Sequence, residues 1–195
     1  MKNNKNNTND MYVIKRNNKK EPISFDKILK RIKSICKEFN LQNIIYAQLS
    51  MKVIDQLYDN IETTKIDELT AQQCCSMASI HHDYNKLASA ISISNLQKNT
   101  SNSFYETLKK LYDFKDVNNN NYKLISNNIM NIVEENKELI ETMIDYKRDF
   151  IFDFFGFKTL ERAYLMKIDG KIVERPQHML MRVCVAIHSD NIKEA

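Results

Sequence analysis

The run of apolar and polar positions predicts a short hairpin followed by a long series of helices. Met11 to Lys15 reads as a strand and Lys20 to Ile23 as its partner, joined at Asn17-Asn18, where asparagine tolerates left-handed backbone. From Phe25 the spacing becomes helical: Phe25, Ile28, Leu29, Ile32, Ile35, Cys36 and Phe39 share one face, with Lys27, Lys30, Arg31 and Ser34 turned away. Further amphipathic stretches run from Tyr46 to Tyr58, from Thr64 to Ile80, and from Asp83 to Lys98 through Tyr84, Leu87 and Ile91. A linker at Asn99 to Ser103 leads to a short helix from Phe104 to Tyr112, an asparagine loop at Asn118 to Asn121, and helical segments from Ile125 to Val133 and Asn136 to Ile144.

The stretch from Asp149 to Val183 differs in kind. Both of the chain's two glycines and one of its two prolines fall there. Phe157 to Met166 is helical in pattern, with Leu160, Ala163 and Tyr164 on one side and Lys158, Glu161 and Arg162 on the other. Asp169-Gly170, between two short apolar runs, is a hairpin signal, because a type I′ turn needs positive φ at both central residues. Pro176 then opens a helix from Gln177 to His188, its missing N–H falling where no intrahelical partner exists. The expected fold is mainly α: a small β-hairpin with four helices, followed by a helical segment with one further β-hairpin.

Composition adds limits more than content. With 195 residues and 43% hydrophobic positions the chain can bury one ordinary core or two small ones. A formal charge of +4 permits an anionic ligand without requiring a nucleic-acid partner. No apolar run is long enough to span a bilayer, and the N-terminus lacks the apolar stretch of a secretory signal, so a soluble, cytoplasmic protein is expected. Met1 to Asp10 is an asparagine-rich tail expected to be disordered. Cys36, Cys74, Cys75 and Cys184 contain no C-x-x-C pair and read as buried thiols. His81 and His82 are neighbours rather than a helical i, i+4 pair, and no metal site is expected from them or from His178 and His188.

The start of the first helix carries the chemistry. Ser24 is a plausible N-cap, which puts Lys27 in the first turn, where the macrodipole disfavours a cation and a phosphate would reverse the sign. Lys15 and Arg16 on the hairpin could add charge-assisted bonds to such an anion. Charge alone also admits a simply solvated lysine. Thr64 reads as the cap of the third helix, with Asp67 reaching back in a capping box. There is no Gly-rich phosphate loop.

Three adjacent motifs, GFKTLERAYL, KIDGKI and ERPQHMLMRV, resemble the large subunit of class I ribonucleotide reductase in the helical region before its catalytic barrel. The opening VIKR and EPISFDKI resemble the ATP-cone, a regulatory module found at the N-terminus of many such subunits. The resemblance divides the chain into the tail at residues 1–10, a cone at 11–100 and a helical reductase segment at 101–195. It implies ATP or dATP, with or without Mg2+, as an allosteric effector held by Lys15, Arg16, Glu21, Pro22, Ile23, Ser24, Phe25, Asp26, Lys27, Thr63, Asp67 and Lys98. It implies as partners the barrel-bearing remainder of the large subunit and the small subunit, with oligomers formed through the cone. Radical and redox cysteines belong to the barrel in that family, so the chain as given is expected to be catalytically inactive.

The chain departs from the family pattern at Asn17-Asn18, where Asp-Gly is usual, and at His82, where a proline often starts the fourth helix. The alternative is a free-standing nucleotide-sensing or subunit-interaction module without catalysis. Met179, Leu180, Val183 and Ile187 separate the two readings, since a self-sufficient sensor would bury them and a reductase segment would leave them exposed to its barrel. Arg175, Gln177, His178 and Arg182 are expected to hold the last helix against that barrel.

Overall fold

The computed structural model describes residues 11–189 and 191–194; the expected tail at residues 1–10 lies outside them. The chain forms two compact units, one ending at Asn95 and the other beginning at Leu96. Helices dominate both, as the periodicity predicts.

In the first unit β1 (Tyr12–Ile14) pairs antiparallel with β2 (Lys20–Pro22), Val13 facing Glu21. The turn between them holds Asn18 at φ 61°, and Lys15 N–H donates to Lys19 O at 2.8 Å. A strand that the pattern did not announce, β3 (Ile61–Glu62), lies parallel to β1 on its other edge, giving the order β2-β1-β3. The helices are α1 (Phe25–Glu38), α2 (Tyr46–Ile54), α3 (Thr63–Ser76) and α4 (Asp83–Asn99), whose last turn enters the second unit.

The face of α1 is buried through Ile28, Ile32, Ile35 and Cys36, but Phe25, expected on that face, is exposed. Helix α2 stops at Ile54, four residues short of the expected Tyr58, which is itself exposed. Helix α4 is not the amphipathic helix expected. Every residue from Leu87 to Ile93 is buried, on all sides of the helix, because alanines and serines fill its remaining faces.

The second unit contains α5 (Phe104–Tyr112), α6 (Asn127–Glu135), α7 (Lys137–Met143), a 3-10 segment at Tyr146–Ile151, α8 (Phe154–Ala163), the hairpin β4 (Lys167–Ile168) and β5 (Lys171–Ile172), and α9 (Pro176–Ile187). Phe104, Leu108, Leu111, Met130, Val133, Met181 and Val185 form its core. Ser103 and Ser126 cap α5 and α6 through the N–H groups of Glu106 and Ile129, each at 3.3 Å.

Helix α8 starts three residues before the expected Phe157, because Asp153 caps it through Gly156 N–H at 2.7 Å. Its buried residues are Phe154 and Phe157, while Ala163 and Tyr164, expected on the packed side, are exposed. The two phenylalanines remove more apolar area from water than the alternative face could. Asp169 and Gly170 adopt φ 50° and 74°, the two positive values that the Asp-Gly turn requires. Cys36 and Cys74 are buried as expected, whereas Cys75 and Cys184 are only half-buried.

Candidate functional site

Strand β1 ends where its two following residues, Lys15 and Arg16, diverge toward different carboxylates. Lys15 Nζ lies 3.4 Å from Glu21 Oε2, and Lys27 Nζ, from the first turn of α1, lies 3.1 Å from the same oxygen. The two lysines hold the Glu21 carboxyl below its ordinary pKa, the Lys27 bond contributing most. Arg16 Nη2 reaches Asp67 Oδ2 on α3 at 3.4 Å. Arg31, one turn beyond Lys27 on α1, spans both oxygens of the same carboxylate, Nε to Oδ1 and Nη2 to Oδ2, each at 3.4 Å.

These contacts close a ring: Lys15, Glu21, Lys27, along α1 to Arg31, then Asp67, Arg16 and back along the chain to Lys15. Among the described residues of this ring, four cations share two carboxylates, a formal excess of two positive charges. The arginine end is braced from α4, with Ser94 Oγ accepting from Arg31 Nη2 at 2.9 Å and Asn95 Oδ1 accepting from Arg16. Asn95 in turn donates to Thr64 O at 3.3 Å, so α3 and α4 are fastened around the buried Asp67. A pre-positioned cation excess of this kind favours a polyanion such as a triphosphate.

Of the residues expected at the site, Lys15, Arg16, Glu21, Lys27 and Asp67 belong to this ring. Pro22 ends β2, and Ile23 extends the ladder by donating to Met11 O at 2.9 Å. Ser24 occupies the N-cap position of α1, but its hydroxyl makes no capping bond; its carbonyl accepts from Lys27 N–H at 3.1 Å. Phe25 and Asp26 follow it, both exposed in the first turn. Thr63 is the first residue of α3, one turn before Asp67 on the same helix. Lys98 lies in the last turn of α4, within the second unit, and is exposed.

The capping box expected from Thr64 and Asp67 is not formed. Helix α3 begins at Thr63 with Glu62 in the cap position, because β3 runs straight into the helix, and Asp67 is committed to two guanidinium groups instead. Arg31 escapes sequence reasoning because the amphipathic count assigns every charged residue of α1 to solvent. The i, i+4 relation of Lys27 and Arg31 is the available signal.

In the second unit the ERPQHMLMRV stretch builds a clamp. Glu174, fully buried, receives Arg182 Nε at 2.7 Å and Nη2 at 3.2 Å, and also Met166 N–H at 3.0 Å. Arg175 donates to Gln97 O, Thr100 Oγ1 and Thr100 O at 2.9, 3.0 and 3.1 Å, satisfying carbonyls at the end of α4. Asp149 accepts from Gln97 Nε2 at 2.8 Å and from Gln177 N–H at 3.0 Å, at the start of α9; burial raises its pKa.

His178 is fully buried, with Nε2 2.9 Å from Tyr146 Oη and Nδ1 accepting from Arg175 N–H at 3.4 Å. Burial, then the Arg175 charge, pushes its pKa down to about 3. Arg175, His178 and Arg182, and the backbone of Gln177, are thus engaged inside their own unit. What α9 leaves exposed is a stripe of Leu180, Val183 and Ile187, with Met179 half-buried.

Residues 11–99 match the ATP cone domain, and residues 150–195 match the all-alpha domain of ribonucleotide reductase. The chain is 47% identical over 189 residues to the ribonucleoside-diphosphate reductase large subunit of Dictyostelium discoideum, covering 95% of this chain and 22% of that protein. It is 46% identical over 186 residues to the large chain of Cryptosporidium parvum and 44% identical over 186 residues to the large subunit of Variola virus, covering 95% of this chain in each case and 23% and 24% of those proteins. An ATP cone joined to a reductase all-alpha domain is therefore the class that the fold and the matches define. The chain carries both of these domain matches and is similar to ribonucleoside-diphosphate reductase large subunits, spanning less than a quarter of the length of these relatives.

Proposed function

We propose that the first unit binds ATP or dATP and that the bound nucleotide regulates ribonucleotide reduction allosterically. The observation that carries this reading is the ring of four cations on two carboxylates within the residues that match the ATP cone. Lys15, Arg16 and Lys27 would meet the phosphates, Thr63 and Asp67 the sugar or base, and the segment from Glu21 through Asp26 would border them. Glu21 and Asp67 are already paired with cations, so Mg2+ would enter with the phosphates rather than be held by these carboxylates.

Residues 11–100 would then be the regulatory part and 101–195 the reductase part. The exposed Leu180, Val183 and Ile187 stripe favours this reading over a self-contained sensor, because it leaves an apolar face for the catalytic barrel to cover. The partners are the barrel-bearing remainder of the large subunit and the small subunit, in the cytoplasm. dATP would favour an inactive higher oligomer through cone contacts, and ATP would oppose it.

Charge reversal of Lys27→Glu together with Asp67→Lys tests the site. Loss of ATP and dATP binding is expected in the double variant, and also a clear weakening in Lys27→Glu alone, whose exposed side chain can be replaced without disturbing a core. Unchanged affinity in both would refute the assignment.

A further inference from the structure

His81 and His82 are consecutive, and two adjacent imidazoles alone do not make a chelate. The fold supplies a third ligand. Asp83, the first residue of α4, is buried at 6% exposure, and its Oδ2 accepts from both the backbone N–H and the side-chain Nδ2 of Asn43, each at 3.0 Å. Those two bonds fix the carboxylate. Its Oδ1 lies 3.3 Å from His82 Nε2, and its Oδ2 lies 3.5 Å from His81 Nδ1.

One ligand atom from each of the three residues lies within 4.8 Å of the others, the one such group of three or more among the described residues. Around a four-coordinate Zn2+ with bonds of about 2.0–2.1 Å, neighbouring ligand atoms stand about 3.3 Å apart. The His82–Asp83 pair already has that separation, and His81, a third exposed, stands within 0.2 Å of it at 3.5 Å from the same carboxylate. We propose that His81, His82 and Asp83 form a solvent-facing site for a divalent transition-metal ion, Zn2+ in the first instance, with water completing the coordination.

Two imidazoles and one carboxylate suit Zn2+ and other borderline ions, and disfavour Mg2+ and Ca2+, which want oxygen ligands. Asn43 takes the part of the outer partner that orients a ligating carboxylate. His81 Nδ1 accepts from Asp83 N–H at 3.1 Å; ligation through that nitrogen would exchange the bond for the metal, leaving an N–H in a first turn that has no intrahelical partner in any case. The Asp83 carboxylate offsets the positive end of the α4 macrodipole. Because Asn43 and Ile45 both bond to the start of α4, Ile45 N–H through Tyr84 Oη at 2.9 Å, the ion would stiffen the link between α1 and α2 against α4.

The test is a calorimetric titration of the chain with Zn2+, without nucleotide, in a Cys75→Ser, Cys184→Ser background that removes the half-buried thiols as competing ligands. One equivalent should bind and raise the thermal midpoint, and an excess of Mg2+ should not displace it. His82→Ala, on an exposed side chain, should weaken binding at least tenfold and abolish the thermal shift, and Asn43→Ala should weaken it by about tenfold though it is no ligand. No heat with Zn2+, or equal affinity in the background and in His82→Ala, would overturn the site and mark any binding as adventitious.

Discussion

Arg31 spans both oxygens of Asp67, and it does so from the helix face that a simple amphipathic count turns to solvent. Arg16 shares the same carboxylate from the end of the first hairpin, so the buried Asp67 holds two guanidinium groups in place at once. In this arrangement Asp67 is as much the organiser of the cation excess as a contact residue, and Arg31 joins the residues that the sequence pattern points to.

Arg31→Ala should therefore act twice. It strips a partner from a buried carboxylate, costing about 1–3 kcal/mol of stability, which a urea titration of the first unit's signal would read. It should also weaken ATP binding by about tenfold, the loss of one charge-assisted bond. Arg31→Lys should not restore either, because a lysine cannot span both oxygens. Full rescue by lysine would show that only the charge matters.

Stability should depend on pH through His178. Its folded pKa, about 3, lies below the unfolded value of 6.5, so between these the unfolded chain binds a proton that the folded chain does not. Stability is then fully present above the unfolded value and falls as pH drops through this window, by up to about 1.4 kcal/mol per pH unit. Denaturant midpoints measured from pH 7 to pH 4 should decline, and His178→Asn should flatten the profile even if it lowers its level. A slope unchanged by that substitution would locate the titration elsewhere.

The clamp at the start of α9 gives a sharper structural prediction. Arg175 is buried and satisfies two carbonyls and a hydroxyl near the end of α4, besides lying 4.7 Å from the centre of the Tyr146 ring. Arg175→Met keeps much of the volume but leaves those carbonyls without their donor, at a cost of about 3 kcal/mol. Chemical denaturation of the whole chain would detect it; a loss under about 0.5 kcal/mol, typical of a surface position, would contradict the clamp.

The exposed stripe on α9 should behave in the opposite way. Leu180→Asp with Val183→Asp should change stability by no more than about 0.5 kcal/mol, as expected of exposed positions, while preventing association with a separately supplied reductase barrel. Co-purification of the two polypeptides reads the second effect. Undiminished association would remove the stripe from the interface.

Much of this was legible in the sequence, and the exceptions have physical causes. The Asp169-Gly170 hairpin was readable because few dipeptides meet a demand for two positive φ values. Pro176 likewise fixed the start of α9. Strand β3 was not readable: two residues, Ile61 and Glu62, carry no period, and their pairing depends on the distant β1, as the facing of Val13 and Ile61 shows. Its presence moved the start of α3 to Thr63 and released Asp67 from the capping role that local pattern suggested. At the candidate site, Lys15, Arg16 and Lys27 can be picked out from charge and helix position and their neighbours only from the resemblance to the ATP-cone, whereas Arg31, Ser94 and Asn95 escape both, because their part depends on three helices meeting.

Whether the cation excess of the first unit serves a nucleotide is decided by calorimetric titration of the purified chain with ATP and with dATP, in moderate salt and again in high salt. One site per chain is expected for at least one of the two nucleotides, weakened by salt and by Lys27→Glu. A folded chain that takes up neither nucleotide would contradict the proposed role.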